Sequence, residues 1–310
     1  MGKEILLTGG TGFIGSNLVE NFLNNGKNLI LLKRSYSNIE RIKNFMNLYD
    51  NLNIIDIDKE KISDIFETHN IEGILHLATY YSKFHSSNEI HDMIFSNISF
   101  PTDLLENAVK NNTKYFINTG SFAEYSGDKI PIDENTKISP FNLYASTKVA
   151  FEDILKFYSE NYDIKTATLK LFTPYGPKDD ENKIIPYLIV NSIKKEKLTI
   201  QSTSKKLDVV FVDDIIEGYK KTIKNILNFK KNENINIASG KSHSIKEIYS
   251  IINSMLGDTE VEFLESDLTE VKGNIKKAKK VVNWEPKVDL ETGLDLTIKY
   301  YQEKYKDYLN

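Results

Sequence analysis

Thr8-Gly9-Gly10-Thr11-Gly12-Phe13-Ile14-Gly15 decides the fold of this chain. It follows an apolar run, Ile5-Leu6-Leu7, and opens an amphipathic stretch continuing through Leu18-Val19 and Phe22-Leu23. Gly10, Gly12 and Gly15 fit one glycine spacing of dinucleotide-binding turns, and Gly9, Gly12 and Gly15 fit another. Glycine permits the tight turn and the close backbone approach to a pyrophosphate. Amide hydrogens at the start of the next helix then face the anion. An ordinary glycine-rich turn is the competing account, and placement between a strand and a helix favours dinucleotide binding.

Outward from that turn, strand and helix patterns alternate. Leu29-Ile30-Leu31-Leu32, Ile54-Ile55, Ile74-Leu75-His76-Leu77 and Tyr115-Phe116-Ile117 are short, continuous and apolar. That suits parallel strands buried on both faces. The alternation implies right-handed βαβ units and an α/β, doubly wound parallel sheet of the Rossmann kind. A helix is expected from about Leu143 to Tyr158 and a sixth strand from Thr166 to Leu171. Beyond Pro174 the pattern loosens. Leu188 to Ile193 reads as helix, Val209 to Val212 as strand, and Ser244-Ile245-Lys246-Glu247 as a capping box. Residues 1–172 are therefore assigned to the nucleotide-binding domain, with 208–230 returning to it. Residues 173–207 and 231–310 are assigned to a smaller α/β substrate lobe over the carboxyl edge of the sheet.

Composition narrows the partners. Across 310 residues, 44 acidic side chains face 40 basic ones, for a net charge of −4, which argues against nucleic acid. The chain has no cysteine, which excludes disulfides, thiolate metal sites and thiol nucleophiles. No run approaches the roughly 18 apolar residues of a membrane span. Met1-Gly2-Lys3-Glu4 enters a strand at once, so a cytoplasmic protein without a signal peptide is expected. The histidines His69, His76, His85, His91 and His243 lack ligand spacing, and no metal is expected.

NAD-binding folds usually place an acid at the end of the second strand, about 20 residues past the glycine turn. Here that strand ends in Lys33-Arg34-Ser35, with no acid before Glu40. Two cations and a hydroxyl suit a 2′-phosphate. A solvated basic turn explains Lys33 but not Arg34, since Arg34 and Arg41 are the only arginines. NADP(H) is the cofactor expected.

Tyr144-Ala145-Ser146-Thr147-Lys148 sets Tyr144 and Lys148 one helical turn apart. A nearby ammonium favours the phenolate, so such a tyrosine can exchange a proton with a carbonyl or alcohol oxygen. Ser121, after the fifth strand, can share that oxygen. Tyr–Lys pairs at this spacing are common by chance; the order glycine turn, post-strand serine, Tyr–Lys helix is what gives the pair meaning. Tyr80 and Tyr81 are weaker candidates for lining a substrate pocket, since aromatic packing explains them nearly as well. Asp213-Asp214 reads more simply as the cap of a helix beginning at Ile215.

Together these residues resemble the extended short-chain dehydrogenase/reductase family, the NAD-dependent epimerase/dehydratase type, over nearly the whole chain. The resemblance implies that Gly9, Gly12, Phe13, Ile14 and Gly15 hold the cofactor diphosphate and that Asp56-Ile57 lies at the adenine. It implies that Leu77, Ala78 and Thr79, in His76-Leu77-Ala78-Thr79, touch the cofactor and that Asn97 matches a helix asparagine. It implies Ser121, Tyr144 and Lys148 as the catalytic set, with Tyr144 and Lys148 also on the cofactor. Leu169 to Pro177, Asp208 to Asp214 and Asn283-Trp284-Glu285-Pro286 match later landmarks. Phe172 falls on the cofactor side, and Thr173 and Lys183 on the substrate side. Leu32 to Ile42 is most similar to 4-keto-6-deoxysugar reductases of the CDP-abequose and CDP-paratose synthase kind, enzymes of deoxysugar biosynthesis.

Sugar 4,6-dehydratases of this family place Asp-Glu directly after the catalytic hydroxyl residue, where this chain has Phe122-Ala123. The expected activity is NADPH-dependent reduction of a nucleotide-linked 4-keto-6-deoxy sugar. A nucleotide-sugar epimerase retaining NAD(P) and a non-catalytic NADP-binding regulator are the alternatives. Family members often carry Asn at Thr173 and phosphate-binding arginines at Leu207 and Asp267; Lys183, Lys205, Lys206 or Lys272 are possible substitutes, or the substrate carries no diphosphate. A homodimer through helices near Ile94 to Val109 and Leu143 to Tyr158 is implied.

Overall fold

The computed structural model describes residues 2–201, 203–230, 232–264 and 268–308. Asp267 lies outside them. The chain divides into two compact units, one of Met1–Ser126, Glu134–Lys170 and Gly218–Ile235, the other of Gly127–Asp133, Leu171–Glu217 and Asn236–Asn310.

The first unit is built on a seven-stranded sheet. Its strands are β1 (Glu4–Thr8), β2 (Leu29–Lys33), β3 (Leu52–Asp56), β4 (Ile71–His76), β5 (Tyr115–Ser121), β6 (Lys165–Leu171) and β11 (Glu233–Ile237). Their order is β11-β6-β5-β4-β1-β2-β3, so the winding reverses between β1 and β4. Pairing is parallel from β3 through β5. This is the doubly wound sheet that the alternating pattern predicts. Every residue of β1 is buried, as a two-faced strand requires.

Helices α1 (Phe13–Asn24), α2 (Ile62–Thr68), α3 (Ile90–Ile94), α4 (Phe100–Lys110) and α5 (Leu143–Asn161) connect the strands. One core cluster joins Leu6, Ile30 and Ile74 of the sheet to Leu104 of α4 and Phe151 and Leu155 of α5. Each such side chain contributes about 1.5–3 kcal/mol on burial. Asn142 caps α5, accepting the Ala145 amide at 2.8 Å, which fixes where Tyr144 enters the helix.

In the second unit β7 (Thr173–Tyr175) pairs in parallel with β10 (Val209–Phe211). β8 (Leu198–Gln201) pairs in parallel with β13 (Val261–Leu264), and β9 (Lys206–Leu207) antiparallel with β12 (His243–Ser244). Helices α6 (Ile184–Lys194), α8 (Ile245–Leu256) and α10 (Leu290–Lys304) pack on one another. The capping box is formed: Ser244 Oγ accepts the Glu247 amide at 3.1 Å and Glu247 Oε2 accepts the Ser244 amide at 2.7 Å.

Two expectations need correction. Val212 opens α7 (Val212–Asn225) instead of ending a strand. Asp213 and Asp214 therefore lie inside that helix's first turn and do not precede it. Asp214 accepts the amides of Lys287 at 2.9 Å and Val288 at 3.0 Å, and its carbonyl accepts Trp284 Nε1 at 2.8 Å. Its work is to anchor the segment around Trp284, a role that sequence spacing could not reveal. Among the described residues no helix is long and apolar enough to cross a membrane.

Candidate active site

The glycine turn is set between β1 and α1 by contacts that exclude side chains. Gly9 has φ +72°, and a Cβ there would lie 2.6 Å from the Ala78 nitrogen. A Cβ on Gly15 would lie 2.2 Å from the Gly9 carbonyl oxygen. The Gly12 amide donates to Gly9 O at 3.0 Å, closing the turn, and no side chain caps α1. An uncapped helix start behind so tight a turn fits an anion such as a dinucleotide diphosphate.

Thr8 ties the turn to the fourth strand. Its hydroxyl accepts the Ala78 amide at 3.1 Å and lies 2.8 Å from Nδ1 of buried His76. Burial, with Lys148 adding, holds His76 well below its ordinary value, so the imidazole is neutral and structural. Leu77 donates to Thr8 O at 3.3 Å. Thr79 Oγ1 and the Tyr80 amide donate to Asn97 Oδ1 at 3.0 and 2.7 Å; Asn97 Nδ2 donates to Tyr80 O at 3.0 Å and Thr147 Oγ1 at 2.9 Å. Asn97 sits in a π-helical stretch, Phe95–Ser99, and fastens the loop after β4 to the helix that carries Tyr144.

The basic turn is more occupied than its sequence suggests. Lys33 Nζ lies 3.3 Å from Asp56 Oδ2, which also accepts the Ser35 hydroxyl at 2.8 Å. The Ser35 amide donates to Asp58 at 2.8 Å. Although desolvation works against it, these bonds and the Asp58 amide hold Asp56 below the usual carboxylate range. Arg34 reaches across to Ser96 Oγ at 2.8 Å, bonds the Tyr36 hydroxyl, and lies 5.7 Å from the Phe95 ring centroid. Ile57 donates to Lys33 O at 2.9 Å, so the ends of β2 and β3 form one patch.

Ser121 ends β5, and Tyr144 and Lys148 lie on α5 in the same unit. Lys148 is buried, and its Nζ donates to Thr119 O at 3.1 Å. Burial lowers it to about 8, with Glu124 pulling the other way. Tyr144 departs from expectation. Its phenol is pushed well above its ordinary value by burial, with Glu124 and Tyr81 adding and a bond to Thr79 opposing. Lys148 Nζ stands 6.0 Å from the Tyr144 ring centroid and donates to the Thr119 carbonyl. Tyr81, exposed, meets Tyr144 edge-on at 4.9 Å, whereas Tyr80 points its hydroxyl to Glu89 at 3.2 Å.

Sequence reasoning missed Glu124, one place beyond Phe122-Ala123. It is fully buried, and its Oε1 accepts the Ser121 amide at 2.6 Å. Its other oxygen contacts Lys170, itself buried in β6 and 2.5 Å from Glu152. A lysine inside an apolar parallel strand was the available signal, since a charge there requires a buried partner.

Phe172, Thr173 and Lys183 belong to the second unit. The Phe172 side chain is fully buried against Gly273, so its ring is not presented to a ligand. Thr173 is half-buried in β7, and Lys183 pairs with Asp179 at 2.8 Å. Leu207 is buried in β9.

The family model described as NAD dependent epimerase/dehydratase family matches residues 5–238. A CDP-abequose synthase of Salmonella muenchen is 31% identical over 252 residues, 81% of this chain and 80% of that protein. A UDP-glucuronate 4-epimerase of Thermodesulfobacterium geofontis is 28% identical over 96% of each chain. The UDP-glucuronic acid 4-epimerase of Bacillus cereus, solved with UDP-glucuronic acid and NAD, superposes with a TM-score of 0.86 at 25% identity, covering 97% of this chain and 100% of that one.

Proposed function

The chain belongs to the NAD dependent epimerase/dehydratase family, and we propose that it reduces the keto group of a nucleotide-linked 4-keto-6-deoxy sugar with NADPH. The observation that carries this reading is geometric: Ser121 ends β5, Tyr144 and Lys148 stand one turn apart on α5, and Glu124, the carboxylate three places past Ser121, is withdrawn into the core. A tyrosine phenol is protonated at neutral pH and can pass that proton to a ketone oxygen as charge develops on it. The similarity to a CDP-abequose synthase supports the substrate class.

When bound, the nicotinamide supplies hydride; the protein supplies orientation and the proton. Gly9, Gly12, Phe13, Ile14 and Gly15 hold the diphosphate, and Asp56 and Ile57 the adenosine side. Lys33, Arg34 and Ser35 hold the 2′-phosphate, with Leu77, Ala78 and Thr79 along the remainder. Lys148 binds the nicotinamide ribose and supplies positive charge near the reacting oxygen. Ser121 donates a hydrogen bond to that oxygen and Tyr144 delivers the proton. In the first unit, Tyr80 and Tyr81 face the sugar nucleotide. Exposed Ile94 and Phe157 support a homodimer through α3, α4 and α5.

One observation favours a second reading, an epimerase retaining NAD: Asp56 and Asp58 already balance the charge of the Lys33–Ser35 turn. Incubating the purified protein with CDP-4-keto-6-deoxyglucose separates the two. Stoichiometric NADPH consumption supports reduction. Copurifying NAD, with no NADPH consumed on the keto sugar and with interconversion of a 4-hydroxy nucleotide sugar such as UDP-glucuronic acid in a parallel incubation, refutes it.

A further inference from the structure

Glu124 has no place in the chemistry just described, yet it is built into the floor beneath it. It ends a 3-10 turn, Phe122–Glu124, directly after β5, and its side chain is wholly inaccessible. One oxygen takes the Ser121 amide at 2.6 Å while Ser121 Oγ accepts the Ala123 amide at 3.2 Å, so the catalytic hydroxyl sits on a reciprocal capping box. The other oxygen meets Lys170 from β6. Gly120 leaves room for this carboxylate: a Cβ there would stand 2.9 Å from Glu124 Oε1.

The surrounding charges do not cancel. Lys170 faces two carboxylates, Glu124 and Glu152, and lies 5.2 Å from the centroid of the Tyr125 ring. The Glu152 side chain, on α5, is 14% exposed and also accepts from Asn234. A second buried cation is Lys148 on α5, whose Nζ donates to the Thr119 carbonyl. Around it stand neutral His76 from β4, Tyr144 from its own helix, and Tyr219 of α7, bonded to the Thr119 hydroxyl at 2.5 Å. Glu124 and Lys148 hold neighbouring groups at the end of β5, the Ser121 amide and the Thr119 carbonyl, and although burial pushes Glu124 up to about 7, with Lys170 opposing, it is a carboxylate over the range above neutrality where Lys148 titrates. A buried ammonium is retained when a countercharge is near.

We propose that Glu124 is a positioning residue for the reaction, fixing the Ser121 main chain with one carboxylate oxygen and supplying the countercharge that keeps Lys148 an ammonium. This rests on the assignment of Ser121 and Lys148 to catalysis but not on the identity of the sugar. It also separates this chain from a dehydratase arrangement: the carboxylate serves the floor of the site and does not face the reactant.

The test uses the full chain labelled with ¹⁵N-lysine, with Lys148 Nζ assigned by its loss in Lys148→Met. In Glu124→Gln, Lys170 keeps Glu152, and the glutamine oxygen can still accept the Ser121 amide, so the change is chiefly one of charge. Lys148 is expected to titrate about one pH unit lower than in the wild type, with the basic limb of the kcat profile moving in step. Glu124→Asp keeps the charge but not the reach to Ser121. Its Lys148 titration should stay near the wild type while kcat falls about 10- to 100-fold at little-changed KM. Should Glu124→Gln not fold, Glu124→Gln/Lys170→Met removes both charges and is read in the same way. A Lys148 titration unmoved by loss of the carboxylate overturns the proposal. The titration needs no substrate, so failure of keto-sugar reduction would defeat the proposed function and leave this result standing.

Discussion

Gly15→Ala sets two physical effects against each other. Gly15 has an ordinary negative φ within α1, and on helix propensity alone alanine should strengthen that helix by about 1 kcal/mol. The structure gives the opposite sign. The added Cβ would stand 2.2 Å from Gly9 O and 2.7 Å from Gly10 Cα, both main-chain atoms. Ordinary carbon contacts begin near about 3.5 Å, so the turn and the helix must part by about 1 Å. Overpacking of this kind costs about 1–3 kcal/mol, enough to cancel or outweigh the propensity gain. The larger effect falls on the anion site, because a 1 Å misplacement can weaken a positioned interaction about 100-fold. With NADPH at 100 times its dissociation constant, binding stabilises the wild type by about 2.7 kcal/mol, and a 100-fold weaker variant at the same concentration gains only about 0.4 kcal/mol. In Tm, at about 2–4 °C per kcal/mol, that is a rise of about 5–10 °C against about 1 °C. Differential scanning fluorimetry with and without NADPH reads it directly. Gly127→Ala is the control, because a Cβ there meets nothing within 4 Å. A cofactor-induced Tm rise in Gly15→Ala equal to that of the wild type would refute the reasoning.

Tyr144→Phe should lower turnover about 10²- to 10⁴-fold while the dissociation constant for NADPH, read by fluorescence titration, changes less than about twofold. Retained turnover would exclude Tyr144 as the proton donor. Asn97→Ala leaves the Tyr80 amide and carbonyl without the partner that bonds both, at about 1–3 kcal/mol for each orphaned buried group; a wild-type thermal midpoint in this variant would show that the amide is not the fastening. The rate of reduction should decline as pH rises through about 8, where Lys148 passes from ammonium to amine and its positive charge near the reacting oxygen is lost. A stopped-flow profile of the hydride step that stays flat between pH 7 and about 10 would contradict that sign.

Elements with an unbroken local signal were readable from the sequence. The strands of the first unit are continuous apolar runs, and the turn at Gly9 to Gly15 lies in one stretch of chain. The placement of Ser121 at a strand end, and of Tyr144 and Lys148 one turn apart on a helix, was readable because each follows from local spacing. What escaped depends on distant partners. Lys33 and Arg34 read as a bare basic pair, yet Asp56, 23 positions from Lys33, and Ser96, 62 from Arg34, come back to meet them. Asp214 read as a cap because its true partners, Lys287 and Val288, lie more than 70 positions away. The direction of Tyr144's shift escaped for a different reason: spacing places an ammonium one turn away but says nothing of how deeply the phenol is buried.

That last difference bears on the chemistry. A tyrosine lowered toward neutrality would serve equally as acid or base and would leave reduction and oxidation on a par. A phenol held above its ordinary value keeps its proton at neutral pH but releases it less readily, so Ser121 and the charge of Lys148 must stabilise the oxygen that receives it. Glu124 acts on both groups, since its charge adds to the upward push on Tyr144 while pulling Lys148 toward the ammonium. One buried carboxylate thereby favours the protonated form of both groups. In a site that had to abstract a proton first, the same carboxylate would oppose the reaction. Its position one residue past the dehydratase pair, turned inward against Lys170, is thus a physical argument against water elimination that does not depend on the charge balance of the Lys33–Ser35 turn.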